Sequence, residues 1–168
     1  MNKFYILIWY ILIILVVVLS ELLGRLFAWG GLFVSPLVSL VIALWIQDQF
    51  STAITAAGFG AILKDVISGR SNMGWTSLCW ILWMVILGIS RYYSGGSKWL
   101  SMVEAILLFF LLYASDLFVS RSFSLDFKYF SSLSFTSILS WIFGNIIFMI
   151  VFYAITKFLL TSIKREKR

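Results

Sequence analysis

The sequence predicts an all-α membrane protein, a bundle of about six transmembrane helices in a single integral membrane domain over 1–168. Three observations predict it. Hydrophobic residues make up 62% of the chain and charged residues 12%, too little polar surface to cover a water-soluble domain of 168 residues. Apolar segments recur along the whole length and are separated only by short polar breaks. Each crossing of a roughly 30 Å hydrocarbon core takes about 20 residues, so six crossings with short turns use nearly all of the chain.

The first span covers about 4–23. Its apolar run continues into Glu21 and Leu22 with no small-residue cleavage site, so a retained helix is expected rather than a removed signal. Trp29 with Gly30 and Gly31 reads as an interfacial turn. The second span, about 32–46, carries Ser35-Pro36, an N-cap followed by a first-turn proline. Either a short helix starts at Pro36 or a longer one kinks there, and both place irregular backbone near the membrane face.

The third span, about 52–68, follows the polar break Gln47-Asp48-Gln49 and is rich in small residues. Ala53, Ala57 and Ala61 recur every four residues, and Ala56 and Gly60 share that spacing. Two adjoining stripes of this kind let helices approach closely, which places this helix in the middle of the bundle. The fourth span is about 75–89, the fifth 100–119 and the sixth 137–160.

Six spans put both termini on one side. The loops and ends on that side carry Lys3, Arg91, Lys98, Lys157, Lys164, Arg165, Lys167 and Arg168, and the opposite set Arg25, Lys64, Arg70, Arg121 and Lys128. The larger basic set predicts both termini on the cytoplasmic face. The net charge of +6 is concentrated in the C-terminal tail beside an apolar span, where attraction to anionic lipid explains it without nucleic acid.

Ionisable groups inside a bilayer are costly, so those near the spans are the candidate functional residues. Glu21 sits at a helix end and reaches the interface. Asp65 is expected to face inward and tie down the turn that follows, Ser68 to Gly74, while Lys64 snorkels to the surface. Lys64 and Asp65 point about 100° apart on a helix, which argues against a mutual salt bridge. Glu104 and Asp116 share the fifth span about 18 Å and 120° apart, too far for a catalytic pair, and are read as interhelical or interfacial hydrogen-bonding groups. A membrane aspartic hydrolase needs two convergent aspartates; Asp65 and Asp116 meet only if each sits near the outer face, which this topology allows, and no motif around either supports catalysis.

The chain has no histidine, one cysteine (Cys79, mid-span), and no nucleophile elbow, P-loop or zinc-protease motif. No catalytic residue, metal ligand or cofactor is predicted, and an internal disulfide is excluded.

The run Asp65-Val66-Ile67-Ser68-Gly69, preceded by Gly58, Gly60 and Ala61 and followed by Gly74, resembles the central signature of the MreD family, the rod shape-determining membrane proteins of bacteria. Length, span number and the proline opening the second span agree with it. So does an acidic residue late in the fifth span, Asp116, which Trp99 opens. Two positions depart: Ala61 stands four before Asp65 where the family has glycine, and Gly74 falls one residue farther from Gly69. The resemblance implies a non-enzymatic component of the cell-elongation machinery in the bacterial cytoplasmic membrane. It would bind MreC and, with MreB, RodA and a penicillin-binding transpeptidase, help organise lateral peptidoglycan synthesis. It also implies a fold similar to the substrate-binding subunits of energy-coupling-factor transporters, which supplies the alternative: a vitamin-binding transport subunit. On the first reading Asp65, Ser68, Gly69, Gly74, Glu104 and Asp116 are partner-binding or structural polar residues, and Ala53, Ala57, Gly60 and Ala61 pack helices together.

Overall fold

The structure, a computed structural model, describes residues 3–26, 34–68, 74–93, 98–121 and 135–166. Among these residues every regular element is helical: α1 (Lys3–Leu26), α2 (Pro36–Ile46), α3 (Phe50–Ile67), α4 (Trp75–Tyr93), α5 (Lys98–Arg121) and α6 (Phe135–Glu166). The turn around Trp29, the signature residue Gly69, Arg70 and the 122–134 connection lie outside the described residues.

Five of the six helices are long and apolar enough to cross a membrane, and α2 is not. Its 11 residues rise only about 16 Å, half of a hydrocarbon core. Of the two expected geometries for the second span the short helix is the one found, starting at Pro36 after the non-helical Val34 and Ser35.

The centre of the bundle belongs to α2 rather than to α3, which corrects the expectation drawn from the small-residue stripes. Every residue from Pro36 to Trp45 is buried, and α2 packs on α1, α3, α5 and α6. Every face of α2 is covered by a neighbouring helix, whereas positions of α3 between its stripes, such as Ile62 and Val66, are exposed. The stripes do pack helices, as expected: Ala53, Ala56, Ala57, Gly60 and Ala61 are all buried, with α3 set against α4, α2 and α1. At Gly60 a Cβ would stand 2.6 Å from Leu37 Cδ1, so the missing side chain sets how closely α3 approaches α2.

A helix that starts inside a bundle exposes its first backbone N–H groups to an apolar surrounding, where each needs a partner. Ser35 occupies the N-cap position of α2 with extended backbone, but its hydroxyl makes no cap bond. The caps come from other helices. Asn145 Oδ1 of α6 accepts the Ser35 N–H at 3.1 Å, and Ser20 Oγ of α1 accepts the Leu37 N–H at 3.0 Å. Ser39 Oγ donates to the Asn145 carbonyl at 3.2 Å, and the Asn145 amide donates to the Trp141 carbonyl at 2.9 Å.

The other end of α2 caps itself. The Gln49 N–H returns to the Leu44 carbonyl at 3.0 Å and the Asp48 N–H to the Trp45 carbonyl at 3.1 Å, a Schellman motif with Asp48 in the left-handed region at φ 58°. Gln47 Nε2 donates to Thr156 Oγ1 at 2.5 Å and to the Tyr153 carbonyl at 3.2 Å, tying the end of α2 to α6.

Candidate functional site

The polar side chains gather at the two ends of the bundle. At one end lie the C-terminal turn of α3, the start of α4 and the late part of α5; we call it the closed end because its charges are out of contact with solvent. At the other lie the ends of α2 and α4 and the start of α5, with an open cavity beside them. The contacts Ser20 to Leu37 and Gln47 to Thr156 run α1 antiparallel and α6 parallel to α2. The chain therefore enters α1 and leaves α6 at this open end.

At the closed end, Lys64 Nζ donates to Asp116 Oδ2 at 2.5 Å, with 3% and 0% of the two side chains exposed. The snorkelling expected of Lys64 is thus corrected. The ammonium is enclosed by protein, and the Asp116 carboxylate of α5 takes the place that water or a headgroup would have as its partner. The two residues are 52 positions apart in sequence, so nothing local announces the pair.

Asp65 faces inward as expected and ties the end of α3 to the start of α4. Its Oδ1 accepts from Thr76 Oγ1 at 2.9 Å and its Oδ2 from the Gly74 N–H at 3.2 Å. A carboxylate at the first turn of α4 satisfies otherwise unpaired N–H groups and sits favourably in that helix's dipole. Gly74 has φ 88° with open space where a Cβ would go, so backbone conformation, not crowding, calls for glycine there. Ser68 closes α3 by donating to the Lys64 carbonyl at 2.6 Å.

The same region is laced by α4 side chains. Ser77 Oγ donates to the Gly58 carbonyl at 3.0 Å, Trp80 Nε1 to the Leu112 carbonyl at 3.0 Å and Trp83 Nε1 to Ser115 Oγ at 2.9 Å. Of the two aspartates considered as a pair, Asp65 braces the start of α4 and Asp116 accepts from Lys64. Among the described residues no group of three or more histidine, cysteine, aspartate or glutamate side chains is placed to hold a metal ion. Cys79 is half-buried and not in a disulfide.

Glu104 belongs to the opposite, open end and not to this site. It is buried on α5 with Arg91 Nε 4.0 Å from Oε2, and neither carboxylate oxygen accepts a hydrogen bond. Arg91, counted in the sequence only as a loop charge, is the organiser there. It donates to the Trp45 carbonyl at 3.3 Å and to Ser101 Oγ at 2.7 Å, and it pairs with Asp48. Its guanidinium also lies 5.8 Å from the centre of the Trp45 ring. Glu21 is half-buried near the end of α1.

Asn145 and Ser20 went unremarked in the sequence reading. Asn145 had a usable signal, as the sole amide side chain in its apolar span. Ser20 had none, since a serine in a membrane helix often bonds only to its own preceding turn. No family model, curated protein or solved structure matches the chain.

Proposed function

We propose that this chain is a non-enzymatic membrane component of the bacterial cell-elongation complex, of the MreD type, which binds MreC and helps organise peptidoglycan synthesis through protein contacts. The observation that carries the reading is the split within the run from Asp65 to Ser68. Asp65 is buried and reaches the start of α4, and the half-buried Ser68 closes α3 on its own carbonyls, while the apolar pair between them is displayed, Val66 48% and Ile67 42% exposed. Such an arrangement suits a docking point more than a reaction centre: the ionisable groups nearby are engaged in holding helices together, and what is presented outward is apolar.

The small-residue stripes of α3 do not serve this docking, since α3 uses them inside the chain. A partner helix would instead meet the outer end of α3. The test is a pull-down from native bacterial membranes in mild detergent, comparing the intact chain with a Val66→Ser/Ile67→Ser variant expressed to the same level. Recovery of MreC or elongation synthases by the intact chain, and its loss in the variant, supports the proposal. Recovery of neither overturns it, and capture of an energising ATPase module favours the vitamin-transport alternative.

A further inference from the structure

We infer that the groove at the open end of the bundle binds a phospholipid whose headgroup carries a phosphate and a primary ammonium, the phosphate on Arg91 and the ammonium on Asp48. The groove is an open cavity of about 640 Å³ between the end of α4 and the α2–α3 turn. That volume is in the range of small-molecule sites. One wall is apolar and faces outward, formed by Val85 and Ile89 of α4 with Phe50 of α3. The mouth carries Arg91, Asp48 and the rings of Tyr92 and Tyr93.

The depth of the mouth follows from those rings. Tyr92 and Tyr93 are 84% and 82% exposed at the last turn of α4, and Trp99 is 75% exposed at the first turn of α5. Exposed tyrosine and tryptophan at helix ends belong at the boundary between headgroups and hydrocarbon. The mouth therefore opens among headgroups, and the wall of Val85 and Ile89 runs from it into the acyl layer. A groove in that position is filled by lipid, and its charges decide which lipid.

Arg91 is one cation facing two carboxylates, Asp48 and Glu104. A headgroup with net negative charge would add a further anion to that set, while a zwitterion adds none. The planar guanidinium suits phosphate oxygens, and a phosphate would share it with the Trp45 carbonyl, Ser101 and Asp48, to which it already donates. Asp48 leaves 74% of its side chain exposed, so its carboxylate can accept from a second donor while paired with Arg91. A primary ammonium has N–H groups to donate, and a quaternary one has none. The Schellman turn holds Asp48 at the rim and keeps acceptor and guanidinium side by side.

The experiment is native mass spectrometry of the full chain in mixed micelles holding equal amounts of phosphatidylethanolamine, phosphatidylcholine and phosphatidylglycerol. Phosphatidylethanolamine should be retained about tenfold over the other two, the factor that one charge-assisted hydrogen bond supplies. Asp48→Asn keeps a residue that tolerates the left-handed backbone and should bring phosphatidylethanolamine down to the level of phosphatidylcholine. Val85→Trp, at a position 39% exposed, fills the groove and should remove all three. Equal retention of the three lipids, a preference for phosphatidylglycerol, or retention unchanged by Val85→Trp would overturn the assignment. Should Asp48→Asn fail to fold, the headgroup preference and the Val85→Trp variant still decide it.

Discussion

The two ends of the bundle use similar side chains under opposite conditions. At the closed end Lys64 and Asp116 pair with almost none of either side chain exposed, while at the open end Asp48 meets Arg91 with most of its own side chain exposed. The α2 helix shows the same contrast. Its first turn is capped by Ser20 and Asn145 from two other helices, and its last turn is capped by its own backbone. Where a polar group is enclosed by protein, away from water and headgroups, removal of its partner leaves it stranded. Where they are present, solvent can substitute. The closed end is thus expected to be intolerant of change and the open end adaptable, which suits an internal brace and a ligand groove respectively.

Four comparisons bear on this contrast, taken from the largest expected effect. Lys64→Met removes the ammonium facing the buried Asp116 carboxylate and should destabilise the protein by about 3–5 kcal/mol, as removal of one member of a buried ion pair does. The double variant Lys64→Met/Asp116→Leu should recover most of that loss in reversible unfolding from detergent. A double variant as unstable as the single would mean that the pair supplies net stability and not only mutual compensation.

Asn145→Leu withdraws the acceptor from the Ser35 N–H inside the bundle, an expected loss of about 1–3 kcal/mol. Amide hydrogen exchange at the start of α2 would read it directly. Protection there equal to the intact protein's would show that α2 does not depend on its neighbours' caps.

Two glycines make a matched pair. A Cβ on Gly60 would press on Leu37 within the enclosed core, while one on Gly88 would press on Phe50, which is 39% exposed and borders the cavity. Gly60→Ala should therefore cost about 1–3 kcal/mol by overpacking, and Gly88→Ala under about 1 kcal/mol because the Phe50 ring can swing outward. Equal losses in melting temperature would erase the distinction between the ends.

The smallest effect is expected from Asp48→Gly. It gives up an exposed ion pair worth about 0–1 kcal/mol and gains a residue suited to the left-handed position, so thermal stability should change by less than about 1 kcal/mol. A large loss would make the open end as closely matched as the closed one.

Local pattern determined a good deal of this protein. Apolar run length marked out the helices, Pro36 marked the point where α2 starts or kinks, and four-residue spacing of alanine and glycine marked the packing face of α3. The polar turn after α3 pointed to Asp65 as its anchor, because a carboxylate at a helix end can accept from the N–H groups that open the next helix, here that of Gly74 nine residues on. These are short-range matters, settled by hydropathy, helical period and turn chemistry along a few turns of chain. Three features were decided by tertiary structure alone: which helix is enclosed, that Lys64 finds Asp116, and that Arg91 joins the ends of α2, α4 and α5. Each depends on the rotation and axial offset of helices far apart in sequence. A composition that is apolar almost everywhere carries little record of those two quantities, since lipid and protein interior make the same demand on a side chain.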